Sequence, residues 1–239
     1  MNTLVLLSGG LDSAVLAAHE TQAATVLPLY VSVGLAWEPA ELRMLERLLA
    51  SPVFAATMAP LSRVAFTMRD VYPSTHWAIR GVPPAYDTPD EDVYLSGRNL
   101  VLLTKAAVVA ARSGAHRIAL GPLAGNPFPD GRPAFFAAMA TALSLGLDHD
   151  VEIATPFLTW DKAQVIRRGV ELRVPLELTL SCMNPGEETS GASGALPMHC
   201  GRCSKCRERR EAFAAAGVAD PSVYASPSPV SELRARAPK

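Results

Sequence analysis

Cysteine is scarce and confined in this sequence. The 239 residues include four, at Cys182, Cys200, Cys203 and Cys206, and none in the first three quarters of the chain. A disulfide framework spread through the fold is therefore excluded. No uninterrupted apolar run reaches the ~18 residues that a membrane-spanning helix needs. The N-terminus enters a strand without the basic stretch and cleavage site of a secretory signal. Together these absences predict a cytoplasmic protein with no membrane partner. An excess of charge of one sign is missing too: 22 Lys and Arg stand against 23 Asp and Glu, for a net charge of −1. Such a chain has no global basic field to capture a polyanion, so nucleic acid is disfavoured as the main partner and a small molecule is expected. What remains, 49% hydrophobic and 19% charged residues, is the composition of a globular fold. The length suits one sizeable domain with a small appendage.

A further absence narrows the nucleotide chemistry. The glycine-rich turn Ser8-Gly9-Gly10-Leu11-Asp12-Ser13 lacks the lysine of the G-x-x-x-x-G-K-[ST] loop and the spacing of G-x-G-x-x-G, which excludes both commoner nucleotide motifs. What is present is an apolar run of the buried-strand kind at 3–7, the turn itself, and a helix-forming segment at 14–19. Gly9 and Gly10 would permit positive φ and close approach of the backbone to a ligand. Ser8, Asp12 and Ser13 offer side chains to the exposed N–H groups, and the two hydroxyls could also meet phosphate oxygens. A helix start presents orphan donors and partial positive charge, so Leu7 to Ser13 reads as a phosphate cradle. The same composition would also serve a plain turn with a helix cap.

Strand and helix patterns then alternate. Strands are expected at 26–31, 53–58, 117–120 and 151–154, and helices at 39–49, 100–113, 133–145, 160–168 and 206–216, with Thr159 as an N-cap and Gly114 and Gly217 as C-terminal stops. This alternation predicts an α/β fold, a doubly wound parallel sheet with ligands at the carboxyl ends of its strands. Residues 70–93 interrupt it with four prolines and the acidic run Asp87, Asp90, Glu91 and Asp92, which is expected in solvent. Nearby, Trp77, Tyr86 and Tyr94 could line a planar substrate's pocket or pack as a flap. Arg98 and Asn99 open the helix after Gly97, a position suited to an anion, where a guanidinium adds bidentate grip. Asn126 to Gly131 is turn chemistry at the end of a strand. Lys162 sits in the first turn of its helix, where a solvated lysine gains nothing from the dipole and so hints at a task.

The cysteines follow C-x17-C-x2-C-x2-C with none left over. Two-residue spacing lets both thiolates reach one tetrahedral ion, and a distant fourth closes the shell. A closed four-thiolate site is structural, so zinc is expected to fold the segment and take no direct part in chemistry. Disulfides and an iron–sulfur cluster are the alternatives. His199 adjoins Cys200 and could replace a ligand. The loop 185–194 could not order itself unaided, Arg207, Arg209 and Arg210 are expected exposed, and 220–239 is expected to form an extended, partly mobile tail.

The string Ser8 to Ser13 resembles the pyrophosphate loop of the N-type ATP pyrophosphatases. With Gly97-Arg98-Asn99, Pro129-Asp130, Thr155-Pro156 and Lys162, Ser181-Cys182, Cys200-Gly201-Arg202-Cys203-Ser204-Lys205-Cys206-Arg207-Glu208-Arg209 and Gly217-Val218-Ala219-Asp220-Pro221, the chain resembles the 7-cyano-7-deazaguanine synthase family. The resemblance implies that ATP activates the carboxylate of 7-carboxy-7-deazaguanine, that ammonia converts it to an amide, and that a second activation gives the nitrile. It assigns Leu7 to Ser13 to the nucleotide, and it assigns Asp12, Arg98 and Lys162 to catalysis. Arg98, Asn99 and Asp130 would bind substrate, Asp12 or Asp130 would help hold Mg²⁺, and the four cysteines would hold zinc. It also implies a homodimer. If all four cysteines ligate metal, none is free as a glutaminase nucleophile, so nitrogen arrives as ammonia or from a partner. The chain departs from the family at 31–38, where a Tyr-Gly-Gln-Arg-His-like segment is usual, and at 66–93. A related carboxylate or tRNA substrate is therefore the alternative, and a zinc module binding RNA or protein would explain residues 182–210 alone. The expected organisation is an α/β domain at 1–178, a metal segment with its helix at 179–217, and a tail at 218–239.

Overall fold

The structure, a computed structural model, describes residues 2–187 and 196–227. Most of the loop expected at 185–194 and the tail beyond 227 lie outside these residues. Five parallel strands form the main sheet: β1 (Asn2–Leu6), β2 (Thr25–Ser32), β3 (Ser62–Ala65), β4 (Arg117–Ala119) and β5 (Glu152–Ala154). Their spatial order is β3-β2-β1-β4-β5. The helices are α1 (Leu11–Glu20), α2 (Glu38–Leu49), α3 (Pro52–Ala55), α4 (Trp77–Arg80), α5 (Arg98–Ser113), α6 (Pro133–Leu147), α7 (Lys162–Glu171) and α8 (Ser204–Ala216), and a two-stranded antiparallel ribbon joins β6 (Gly186–Glu187) to β7 (Pro197–Met198). This is the expected α/β architecture. No helix among the described residues is long and apolar enough to cross a membrane.

The inner strands β1, β2 and β4 are buried on both faces, so their side chains alternate between two cores. Leu4, Leu29, Val31 and Ile118 face one core with Leu103, Ala106 and Ala107 of α5. Val5, Val26, Tyr30 and Ala119 face the other with Val15 and Leu16 of α1, Val165 and Ile166 of α7, and Phe213 of α8. Pro28 is tolerated within β2 because β3 pairs only from Leu29 onward, so it forfeits no ladder bond on that side.

Two expectations about local structure are corrected. Residues 53–58 do not form a strand: Pro52 at the first helical turn and Ser51 before it start the short α3, and only Met58 touches the sheet, through an isolated bridge to Val26. The third strand is β3, an exposed edge whose largely solvated residues give no apolar alternation to read. Thr159 is not the cap of α7 either. Asp161 accepts from the Gln164 N–H at 2.7 Å while Gln164 returns a bond to the Asp161 N–H, a reciprocal capping box. The first part of the expected tail is tied down, since Tyr224 bridges to His199 and Asp220 binds Arg209.

Candidate functional site

The chain order runs outward from β1 to β2 and β3 on one side and through β4 to β5 on the other, so the sheet reverses between β1 and β4. Neighbouring loops diverge there and leave a crevice at the strands' carboxyl ends. A cavity of about 520 Å³ occupies that place, a size suited to a small-molecule ligand.

At one end of the cavity lies the loop after β1. Gly9 takes φ +80°, a conformation that favours glycine, and a Cβ there would stand close at 3.2 Å from the Leu45 Cβ and 3.3 Å from the Glu41 carbonyl oxygen. Gly10 differs from expectation: it is extended at φ −70° and caps α1 without lending a side chain. No side chain caps α1, whose first residues line the cavity, while Ser8 and Ser13 bond each other at 3.3 Å and Ser13 donates to the Gly10 carbonyl at 3.0 Å. Asp12 places Oδ2 3.2 Å from the Lys162 ammonium, and its Oδ1 is buried without a hydrogen-bond partner.

Lys162, suspected from its unfavourable helix position, is largely enclosed and pairs with both Asp12 and Glu208. Burial alone would depress its pKa. The two carboxylates outweigh that penalty and hold it above the ordinary lysine value, so the ammonium stays charged. Glu208 and its neighbour Lys205, 2.6 Å apart, come from α8 in the four-cysteine segment and also line the cavity. The sequence reading missed both, because a Lys and a Glu among cysteines look like ordinary solvated positions.

At the other end, Arg98 at the start of α5 borders the cavity with its Nε buried and without a hydrogen-bond partner. Asn99 and Asp130 hold each other: the Asn99 backbone N–H donates to Asp130 Oδ2 at 3.2 Å, and its side-chain amide donates to the Asp130 carbonyl at 2.9 Å. Burial raises the Asp130 pKa against the pull of that N–H and of Arg98. Flat rings flank this end. Trp37 and Trp77 stack at 5.7 Å and 9°, and Tyr94 stacks on Phe128 at 4.9 Å. Trp77 and Tyr94 therefore line the cavity, whereas Tyr86 is buried elsewhere. Glu41, a carboxylate on the inward face of α2, accepts from the Trp37 indole at 3.1 Å and from the Tyr30 hydroxyl at 3.0 Å. Burial pushes its pKa up to about 7, against the attraction of Arg98. The only sequence signal for it was a charge one turn before Leu45 and two before Leu48, on what proved a buried face. Of the acidic run, Asp87, Glu91 and Asp92 are exposed as expected, and Asp90 lies 3.8 Å from Arg207.

The sulfurs of Cys182, Cys200, Cys203 and Cys206 all lie within 4.8 Å of one another, with separations of 3.5, 3.8 and 3.9 Å between three of the pairs. Thiolates at ~2.3 Å from one tetrahedral ion stand about 3.8 Å apart, so the cluster fits a single ion and is compatible with structural zinc. None of the four is bonded to another, since disulfide-bonded sulfurs stand at ~2.05 Å. His199 is committed elsewhere, its ring nitrogen accepting the Ser181 N–H at 3.2 Å. The expectation of three exposed arginines fails: Arg207 is half-buried and donates to the Thr88 carbonyl, Arg210 is half-buried and donates to the Gly201 and Ser226 carbonyls, and Arg209 is fully buried, donating to the Leu176 carbonyl, the Thr179 and Ser181 hydroxyls and Asp220. It ties α8 to the chain that leads into Cys182.

A parallel α/β sheet with a small-molecule-sized cavity at its switch point, bordered by a segment whose four sulfurs could hold one metal ion, defines the class of protein. The comparisons agree. The family model described as "Queuosine biosynthesis protein QueC" matches residues 2–217. Proteins named 7-cyano-7-deazaguanine synthase are 36% identical in Ruegeria sp. (95% of this chain, 94% of that one), 34% in Methanopyrus kandleri (93% and 98%) and 33% in Methanothrix thermoacetophila (92% and 96%). The chain belongs to the QueC family.

Proposed function

We propose that this protein is an ATP-dependent C–N ligase that converts 7-carboxy-7-deazaguanine and ammonia to 7-cyano-7-deazaguanine. The observation that carries the reading is one cavity joining two chemically different ends. An uncapped helix start beside Lys162 suits polyphosphate, and Arg98, with its unpartnered Nε in a cavity that flat rings also line, suits a planar carboxylate. Names carried by relatives similar along nearly their whole length support the same product.

In this mechanism a substrate carboxylate oxygen attacks the α-phosphorus of ATP and pyrophosphate leaves. Ammonia then attacks the acyl carbon, AMP departs with the former carboxylate oxygen, and the amide forms with loss of a proton. Activation of the amide oxygen in the same way, followed by loss of AMP and two protons from nitrogen, gives the nitrile. The α1 N–H groups and Lys162 offset charge on the phosphates, and Arg98 orients the carboxylate and stabilises charge on the acyl oxygen. Asp12, with Oδ1 buried and unpartnered, is the residue that would hold Mg²⁺, which supplies charge neutralisation at the phosphates. The four cysteines would hold zinc, which supplies folding free energy and no open coordination position.

The test is mass-spectrometric product analysis after incubation with ATP, Mg²⁺, ammonium and 7-carboxy-7-deazaguanine. Nitrile formed by the native protein and lost in Asp12→Ala is the expected result. Cleavage of ATP to AMP without amide or nitrile would overturn the substrate assignment.

A further inference from the structure

We propose that Lys205, carried by the metal-binding segment, is a second phosphate-contacting cation of the nucleotide cavity, and that Glu208 is the positioning residue that sets its ammonium against that of Lys162. The inference rests on reading the loop of Ser8 to Ser13 as the nucleotide site.

The geometry is a four-member chain of charge. Asp12 Oδ2 lies 3.2 Å from Lys162 Nζ, Lys162 reaches Glu208 Oε1, and Glu208 Oε2 lies 2.6 Å from Lys205 Nζ. All four residues line the same cavity as Ser8 and Gly10. Two of them come from the first turns of α1 and α7, and two from the first turns of α8, whose start lies among Cys203 and Cys206. The set sums to zero charge, so polyphosphate entering beside it meets two ammoniums whose partners it can displace. The pair on α8 is separated by three residues and is part-buried, unlike a solvated surface pair, and its carboxylate is shared with Lys162, which ties the two cations to one spacing. The metal segment thereby becomes a wall of the site, although its ion takes no chemical part.

Binding of α,β-methylene-ATP tests this without any carboxylate substrate. Lys205→Met is expected to weaken the dissociation constant at least tenfold with metal content unchanged, and Lys205→Arg to restore it to within about threefold. Glu208→Gln removes a negative charge near the phosphates. A mere neighbouring charge would then give tighter binding, whereas a positioning role gives binding weakened three- to tenfold. Lys205→Met binding within twofold of the native protein, or tighter binding by Glu208→Gln, overturns the proposal. Native protein that binds the analogue but forms no nitrile disproves the substrate reading alone; native protein that fails to bind it disproves both.

Discussion

The sheet layer and the four-cysteine segment solve the same problem with different forces. Around β1 and α1, Leu4, Val5, Val15, Leu16 and their neighbours are closed off from water, and each contributes an increment of burial that the others can outlast. Around Cys182 to Cys206 the apolar content is small. The segment depends on four sulfurs converging on one point and on a single buried guanidinium. Gly201 illustrates the tightness there: it takes φ +79°, and a Cβ would stand 2.1 Å from the Ser226 carbonyl oxygen. Distributed burial yields gradual responses to damage, and convergent coordination yields all-or-none ones.

That contrast can be broken or sharpened in descending order of effect. Cys203→Ala, or removal of the metal by a chelator, is expected to release a folding contribution of order 10 kcal/mol, read as loss of metal and rapid hydrogen exchange in α8. Exchange in β1 and α1 should persist, and equal loss there would end the two-region picture. Next is Arg209→Met. It removes the charge partner of Asp220 and the donor to the buried Leu176 carbonyl and Thr179 hydroxyl and is expected to cost about 3–5 kcal/mol in denaturant titration, although Arg209 is not a metal ligand. Leu16→Ala in the sheet core should cost about 3 kcal/mol and leave metal stoichiometry intact.

Glu41 separates pH from packing. Its pKa is about 7 when folded against an ordinary 4.5, so between those values the folded state keeps a proton that the unfolded state releases. Stability therefore falls as pH rises from about 4.5 to 7 and then levels off, by about 3 kcal/mol in total. Tyr30, Trp37, Glu38 and Arg98 are the groups that act on it. Glu41→Gln should flatten that slope in melts taken across the range, and an unchanged slope would assign the pH response elsewhere. The smallest effect belongs to Arg63→Ala, which breaks an exposed pair with Glu46 and should move stability by less than about 0.5 kcal/mol.

Much of the site was legible because its chemistry is local in sequence. Ser8 to Ser13 are consecutive, so a strand end, a turn and a helix start could be read together. The cysteines announce themselves by spacing, and Lys162 by sitting where a helix dipole disfavours it. The parts that escaped are those whose partners are distant in sequence. Glu41 matters through Tyr30 on β2 and Arg98 at the start of α5, and Glu208 through Lys162, 46 residues away. Arg209 was expected in solvent because nothing near it in sequence declares the carbonyls that bury it. The edge strand β3 escaped for another reason: a largely exposed strand leaves no alternation.

By itself the sequence determined the alternation of strands and helices, the glycine that a positive φ demands, the four-thiolate set and the family resemblance. Each is fixed by the preferences of neighbouring residues. Only the tertiary structure decided that the two ends of one cavity face each other, that α8 reaches back to the strand-one loop, and that a carboxylate and a guanidinium lie buried. Those outcomes depend on which distant surfaces meet, and burial acquires its free energy only when they do.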